Sequence, residues 1–537
     1  MKTRILDPKN KDDIGLAGQI LREGGLVAMP TETVYGLAAN ALDPEAVRSI
    51  YKAKGRPSDN PLIVHISDFE EMRPLVRRIP KSARLLASAF WPGPLTMILP
   101  KTDLVPAATS GGLGTVAVRF PSNPCAQAVI RAAGKPLAAP SANISGRPSP
   151  TDFRHVYDDL FGRVDAIIDG GSCDVGVEST VITLAEGTPR VLRPGGITVE
   201  QLKEVLGEVD VDEAVLHKLC DEKKASSPGM KYKHYSPAAE IVVADMSLDD
   251  YVRLVHSSDG WGALCFDGEE KLLNARSVAY GKLYDGADQA QRLFSALYEL
   301  DEKGIEKAYA RRPLKTGVSL AVYNRLIRSA GFNIIKSDFR LIGLTGPTGA
   351  GKTTVSRAFS SLGIPVIDCD NLTKSEEVYD RDCVKELTEV FGVDILNGDG
   401  RLNRRTLAKK AFSSKESTLR LNAITFPRIM RAVSHRIEMA KKDGSGIAVL
   451  DAPTLFEAGA DSMCARIVVV TAPESIRIKR ITDRDGITVK EAKARISTQK
   501  DALFYTSRAD YVMDNSGDEA GIIRRVKEIL LQEGRDT

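Results

Sequence analysis

Apolar positions along the chain come in short runs separated by polar, helix-forming stretches, and their spacing divides the sequence into three parts. Between residue 26 and about residue 193, apolar runs predict strands at 26–29, 62–66, 95–99, 115–120, 166–168 and 179–184, with a helix at 43–53. Gly/Pro-rich loops fill the intervals, which is an α/β pattern. Shorter helices at 199–208 and 212–219 lead out of this part. The stretch Ser226-Ser227-Pro228-Gly229-Met230-Lys231-Tyr232-Lys233-His234-Tyr235-Ser236-Pro237 carries too many turn formers for a helix or core strand and reads as a linker.

A smaller α/β unit follows over 238–336. Strands are predicted at 240–244, 262–266 and 307–311, an amphipathic helix at 287–303 and a terminal helix at 318–330, stopped by Gly331. The third part, 338–537, opens with an apolar run at 339–344 and a helix at 354–362. Further strands are predicted at 364–367, 447–451 and 466–471, a helix at 475–485, and a fifth strand from Tyr511. No fixed-period repeat interrupts this order.

Length agrees with several domains, since 537 residues suffice for roughly three or four. With 74 Lys and Arg against 71 Asp and Glu, no global charge draws the chain to nucleic acid or membrane, so stable nucleic-acid binding is not expected. Seven scattered cysteines, none in CxxC spacing, fit a reducing compartment better than a disulfide framework or zinc site. No run approaches 18 apolar residues, and the expectation is a cytoplasmic protein.

The sharpest chemical signal is Gly346-Pro347-Thr348-Gly349-Ala350-Gly351-Lys352-Thr353, a phosphate-binding loop between a predicted strand and a helix. Its glycines let backbone N–H groups turn onto phosphate oxygens, and the helix adds its positive end. Gly349, Ala350, Gly351, Lys352, Thr353 and Thr354 are therefore the candidate ATP contacts. Lys352 would reach the β/γ-phosphates and the Thr353 hydroxyl would hold Mg²⁺. Asp368-Cys369-Asp370 ends the next strand, where a carboxylate can accept a substrate hydroxyl proton or hold Mg²⁺. Arg480 and Arg484, one helical turn apart, face one side. Thr488-Val489-Lys490-Glu491 is a capping box opening a helix that carries Arg495 and Gln499, a lid pattern.

The first part has no such loop. Its candidates lie in Pro30-Thr31-Glu32-Thr33-Val34-Tyr35-Gly36-Leu37-Ala38, Lys52-Ala53-Lys54-Gly55-Arg56-Pro57, Pro61-Leu62-Ile63-Val64-His65 and Ala139-Pro140-Ser141-Ala142-Asn143-Ile144-Ser145-Gly146-Arg147-Pro148. Lys54 and Arg56 offer fixed positive charge to phosphates, with Arg119 and Arg193 as further anion clamps. Ser141, Asn143 and Ser145 cluster hydrogen-bonding groups in a backbone-exposing loop. A lone His65 in an apolar strand is more often a core residue than a ligand. These residues by themselves support an anion or nucleotide site.

Taken in order, these segments resemble the L-threonylcarbamoyladenylate synthase family, YrdC-type, in its long form, over about 10–335. The resemblance implies a twisted α/β domain at 10–205, a linker at 206–237 and a small Rossmann-like α/β accessory domain at 238–336. It implies formation of threonylcarbamoyl-AMP and pyrophosphate from L-threonine, bicarbonate or CO₂, and ATP with Mg²⁺, supplying a downstream tRNA threonylcarbamoyl-transfer machinery. ATP would be met by Lys54, Arg56, Asn60, Thr115, Ser141, Asn143, Ser149 and Arg193, with Tyr235 of the linker as first choice and Tyr232 as second. Lys54 and Arg56 would act on the phosphates in catalysis. Threonine would be met by Thr33, His65, Arg119 and Ser179. Ala139 falls where some members carry threonine.

The last part is similar to dephospho-CoA kinase over about 339–535. Gly343-Leu344-Thr345-Gly346, the Asp-x-Asp, Leu455-Phe456-Glu457, Arg484-Asp485-Gly486 and the Asp510-x₄-Asn515-x-Gly517 ending carry the likeness. The resemblance implies a P-loop kinase domain with a parallel sheet, over 339–537. It would transfer the γ-phosphoryl group of ATP to the 3′-hydroxyl of dephospho-CoA, with Asp370 as base, Lys352 as the second catalytic residue and Arg484 on ATP. Pro347 replaces a usual glycine and Phe426 a common histidine. Two rival readings stand beside this pair: a non-catalytic RNA-binding module in the first part, and a nucleoside monophosphate-type kinase in the last.

Overall fold

A computed structural model describes residues 2–217, 235–273, 275–375 and 377–535. The chain forms two compact units, one of residues 1–245 with 251–335, the other of residues 246–250 with 336–537.

The first unit holds two sheets. Eleven short strands form a mixed sheet in which Ile63–His65 lies parallel to Thr115–Arg119, which pairs antiparallel with Leu95–Pro100. Leu95–Pro100 in turn runs parallel to Thr180–Thr183. Alternate residues bury on opposite faces, as the period of two requires: Leu37, Val64, Met97, Val118 and Ile182 go to one core, while Met29, Ala38 and Leu137 go to another. The helix Pro44–Lys54 is capped by Asp43 and stopped by Gly55 in the left-handed conformation, which fixes Lys54 and Arg56 at a sharp corner.

The second sheet has five strands, three of them Glu240–Asp245, Gly262–Cys265 and Lys307–Arg311, each parallel to its neighbour. The helices Gly286–Glu302 and Ser319–Ser329 pack on it. Its core includes Val34, Val177 and Tyr235, so this sheet's hydrophobic cluster runs continuously into the first domain's loops.

The second unit carries a fully parallel sheet in the order Val366–Asp368, Ile447–Asp451, Arg340–Thr345, Arg466–Thr471, Tyr511–Asp514. Both faces are buried: Ile342, Leu344, Val449, Val468 and Val470 on one side, Leu341, Ala448, Leu450, Ile467 and Val469 on the other. That is why these strands read as unbroken apolar runs. Arg340–Thr345 is flanked by strands on both sides, so a crevice opens at its carboxyl end, the switch point of a doubly wound sheet.

Several expectations need correction. The predicted helix 212–219 is, among the described residues, a single 3₁₀ turn, Glu213–Val215. The strand expected at 364–367 begins at Val366, because Pro365 cannot donate to the ladder. No element was expected between 373 and 446, yet the helices Arg381–Phe391, Arg404–Ala411 and Lys415–Lys442 fill it. Pro427 lies inside the last of these, where a proline reads as a stop.

Candidate functional sites

In the first unit the register of the sheet builds the site. His65 pairs with Arg119, and Thr96 with Arg119, so three adjacent strands bring these side chains into one row. The resulting cavity is walled by Lys54, Arg56, His65, Arg119, Ser141, Asn143, Ser145, Arg147, Glu178, Ser179, Arg193 and Tyr235, among others. Of the residues expected from sequence, Thr33, Asn60, Thr115 and Ser149 are not among its walls. Thr33 and Asn60 adjoin the wall residues Val34 and Pro61, Ser149 bonds to Glu178, and Thr115 begins the strand that ends at Arg119. Tyr232 lies outside the described residues.

The cavity is rich in buried positive charge. Arg119 is 4% exposed, and its Nη2 lies 2.7 Å from Glu32 Oε1. Neither oxygen of Glu32 gains an aligned hydrogen bond, and the Nε atoms of Arg56 and Arg119 and Oδ1 of Asn60 are likewise buried without one. Buried polar atoms are normally satisfied, so this cluster marks groups shaped for a polar ligand. His65 Nδ1–H donates to the Ile63 carbonyl at 3.2 Å. Burial, then the Arg119 charge, push its pKa down to about 3, leaving a neutral ring with Nε2 as acceptor.

Other members hold the site's loops. Lys54, 2% exposed, spends its ammonium on the carbonyls of Ser141 and Asn143 and on Asn143 Oδ1, and burial lowers its pKa. Its charge therefore clamps the Ser141–Asn143 loop while facing the cavity. Arg56 donates to the Pro61 carbonyl at 3.2 Å, and burial brings it to about 10. Arg193 donates to the carbonyl and hydroxyl of Ser179 at 3.1 and 3.2 Å, and the Ser179 and Thr96 hydroxyls lie 2.7 Å apart. Tyr235 has φ of 66°, a conformation that costs a non-glycine residue about 1–3 kcal/mol and clusters at functional sites.

Sequence reasoning missed Glu32 and Glu178. A carboxylate between two threonines, or before a serine, has no signal until the fold brings arginines to it.

In the second unit the phosphate-binding loop follows Arg340–Thr345 and leads into Lys352–Ser361. Its carbonyls are gripped from outside, the arrangement that turns its amides toward the crevice. Arg477 Nε donates to Thr348 O at 2.9 Å, Arg480 to Ala350 O at 3.0 Å, and Asn515 Nδ2 to Ala350 O at 2.9 Å and Gly351 O at 3.2 Å. Lys352 Nζ donates to Gly346 O at 3.0 Å. Gln499 accepts from the Thr348 N–H at 2.9 Å and donates to its hydroxyl at 3.2 Å, joining the segment after the capping-box helix to the loop. Gly351 sits at φ of 90°, and a Cβ there would stand 2.0 Å from Asn515 Nδ2.

Facing the loop, Asp368 and Asp451 pair in register at adjacent strand ends. Burial, with Asp368 and Asp370 adding to it, raises Asp451 to about 6 against the opposing pull of Ser356 and Lys352. Asp370 stands on the short helix Cys369–Leu372 and is exposed. Arg480 and Arg484 part company: the former grips the loop, the latter pairs with Asp485, which Arg495 also meets. Phe426 is 40% exposed on the long helix. Thr353 is exposed at the helix start, and among the described residues no group of three or more His, Cys, Asp or Glu side chains is placed to hold a metal ion.

Three family models match the chain in order: one described as telomere recombination (the Sua5/YciO/YrdC model) at 19–195, "threonylcarbamoyl-AMP synthase, C-terminal domain" at 197–331, and "dephospho-CoA kinase" at 340–520. A threonylcarbamoyl-AMP synthase of Pyrococcus abyssi is 46% identical over 334 residues, 60% of this chain and 95% of that one. A dephospho-CoA kinase of Corynebacterium diphtheriae is 40% identical over 190 residues, 35% of this chain and 95% of that one. Among solved structures, P. abyssi Sua5 complexed with L-threonine aligns with a TM-score of 0.59 at 43% identity, covering 63% of this chain and 100% of that one. Among the described residues no helix is long and apolar enough to cross a membrane.

Proposed function

The chain belongs to the threonylcarbamoyl-AMP synthase family through its first 331 residues and to the dephospho-CoA kinase family from residue 340, and from that premise we propose which residues run each reaction. It is a bifunctional enzyme. The first reaction joins L-threonine, bicarbonate or CO₂, and ATP into threonylcarbamoyl-AMP and pyrophosphate. The second phosphorylates the 3′-hydroxyl of dephospho-CoA with ATP. Domain limits at 10–205, 206–237, 238–336 and 339–537 belong to the same proposal.

In the synthase the threonine amine takes up CO₂ as a carbamate, whose oxygen attacks the α-phosphorus and expels pyrophosphate. No protein nucleophile is needed, so catalysis is positioning and charge neutralisation. The buried arginines carry this reading. Arg119 takes the threonine carboxylate, Thr33, Ser179 and neutral His65 complete its contacts, and Arg56 and Arg193 neutralise the ATP phosphates. Asn60, Thr115, Ser141, Asn143, Ser149 and Tyr235 frame the nucleotide, with Lys54 holding the loop that carries Ser141 and Asn143. The product supplies a tRNA threonylcarbamoyl-transfer machinery, and the protein works in the cytoplasm. Purified protein given ATP, bicarbonate and L-threonine releases pyrophosphate, and omitting threonine stops it; release that ignores threonine would refute the assignment.

In the kinase Gly349, Ala350, Gly351, Lys352, Thr353 and Thr354 cradle the ATP phosphates, and Arg484 closes on them from the lid. Mg²⁺ would be held by Thr353, where it would neutralise phosphate charge. Asp370, exposed at the crevice edge, accepts the proton of the 3′-hydroxyl. A cleft of ≈ 640 Å³ whose lining includes Tyr379, Asp380, Arg381, Arg401 and Arg404 is the place we assign to the acceptor, its arginines offering charge to the acceptor's phosphates. Turnover with dephospho-CoA exceeds that with AMP or CMP; the reverse preference would assign a nucleotide kinase.

A further inference from the structure

The largest fully buried side chain among the described residues is a charged one, Arg325, on the helix Ser319–Ser329 of the accessory domain. Its Nε donates to Glu178 Oε2 at 2.8 Å and its Nη1 to the Pro194 carbonyl at 2.7 Å, with Nη2 3.3 Å from the Glu178 carbonyl. The guanidinium also lies 5.8 Å from the centre of the Tyr235 ring. Every one of these partners belongs to, or adjoins, the synthase cavity. Glu178 and Tyr235 are among its walls, Pro194 follows Arg193, and the second oxygen of Glu178 accepts from the Ser149 hydroxyl.

The same helix is also anchored to the segment that joins the two domains. Asn324 Nδ2 donates to the Val215 carbonyl and Arg328 Nη2 to that of Ala214, both at 2.6 Å, while Ser236 Oγ donates to the Ser329 carbonyl at 3.0 Å. Gly195 shows how closely the supported loop is packed: a Cβ there would stand 2.2 Å from Thr180 N and 2.5 Å from Glu178 O.

A buried arginine and carboxylate cost desolvation that a packed apolar pair avoids, so stability alone does not account for the pair, and its contacts point to a role in fixing geometry. We propose that Arg325 is a positioning residue of the synthase site: the accessory domain inserts its guanidinium to set Glu178, and through it Ser149, and to hold the Pro194 backbone beside Arg193. On this account the accessory domain completes the ATP site. The inference rests on the synthase reading above.

The test uses the full chain with Arg325→Gln, Arg325→Lys, Glu178→Gln and the Glu178→Gln/Arg325→Gln double variant. Threonine-dependent pyrophosphate release is measured against ATP and L-threonine concentration, with a thermal melt of each protein. Arg325→Gln raises the KM for ATP roughly 10- to 100-fold, with a smaller change for threonine, and Arg325→Lys recovers part of it. The double variant is no worse than the worse single one, because both act through one contact. Wild-type ATP kinetics within about twofold in folded Arg325→Gln, or fully additive losses, overturn the proposal. If Arg325→Gln does not fold, Glu178→Gln decides, and unchanged KM for ATP there overturns it equally. An inactive wild-type chain instead overturns the synthase reading, and the inference with it.

Discussion

His65 is a residue whose chemistry the fold changes sharply. Its ring is held neutral by burial and Arg119, with a pKa of about 3 where an exposed imidazole has 6.5. Between those values the unfolded chain binds the proton and the folded protein does not, so stability falls as pH drops from 6.5 toward 3, by up to roughly 1.4 kcal/mol per pH unit. In denaturant unfolding of the first unit, His65→Gln flattens this acid limb; an unchanged limb would mean the histidine is solvated. Gly351→Ala drives a methyl group into Asn515 Nδ2 and releases its hold on the loop carbonyls. The KM for ATP of the kinase then rises about 100-fold while the synthase is unaffected, as paired assays would show.

At this scale the sequence was legible for the phosphate-binding motif, whose expected place between a strand and a helix the fold matches. It was not legible for Glu32, Glu178 and Arg325. Their partners lie 87, 147 and 147 residues away, so only the folded sheet and the docked helix make them a site. Lys54 shows the intermediate case. Its place at a helix end was readable, but that its ammonium would be spent on the Ser141 and Asn143 carbonyls was not.

At the scale of elements, the kinase strands were readable because a parallel sheet buried on both faces writes itself as apolar runs. The helix Lys415–Lys442 was not, because Pro427 and a weakly apolar face hide its period. The C-terminal helix Glu519–Gln532 ends in a device the sequence also conceals. Glu533 accepts from Arg340 at 2.8 Å, from Arg466 at 2.7 Å and from the Tyr511 hydroxyl at 2.7 Å, tying that helix to three strands. Burial pushes its carboxyl up, but Arg466, Tyr511 and Arg340 outweigh this and hold it below the usual range. Glu533→Ala leaves two arginines facing a low-dielectric gap and destabilises the second unit by about 3–5 kcal/mol. Denaturant titration followed by kinase activity reads this directly, and a shift below about 1 kcal/mol would show the pair to be solvated.

At the scale of the molecule, two ATP-using enzymes share one chain and use unrelated phosphate chemistry. On the proposed assignment the kinase takes phosphate on backbone amides at the end of a central parallel strand, and the synthase on buried arginine side chains projecting from a mixed sheet and its loops. ATP is the common substrate, and independence of the two sites is the central claim. The most direct test is Lys352→Ala in the full chain, assayed for both reactions in one preparation. The account predicts loss of dephospho-CoA phosphorylation by at least about 100-fold, with threonine-dependent pyrophosphate release within about twofold of wild type. Loss of both activities in a folded protein, or survival of the kinase, would contradict it.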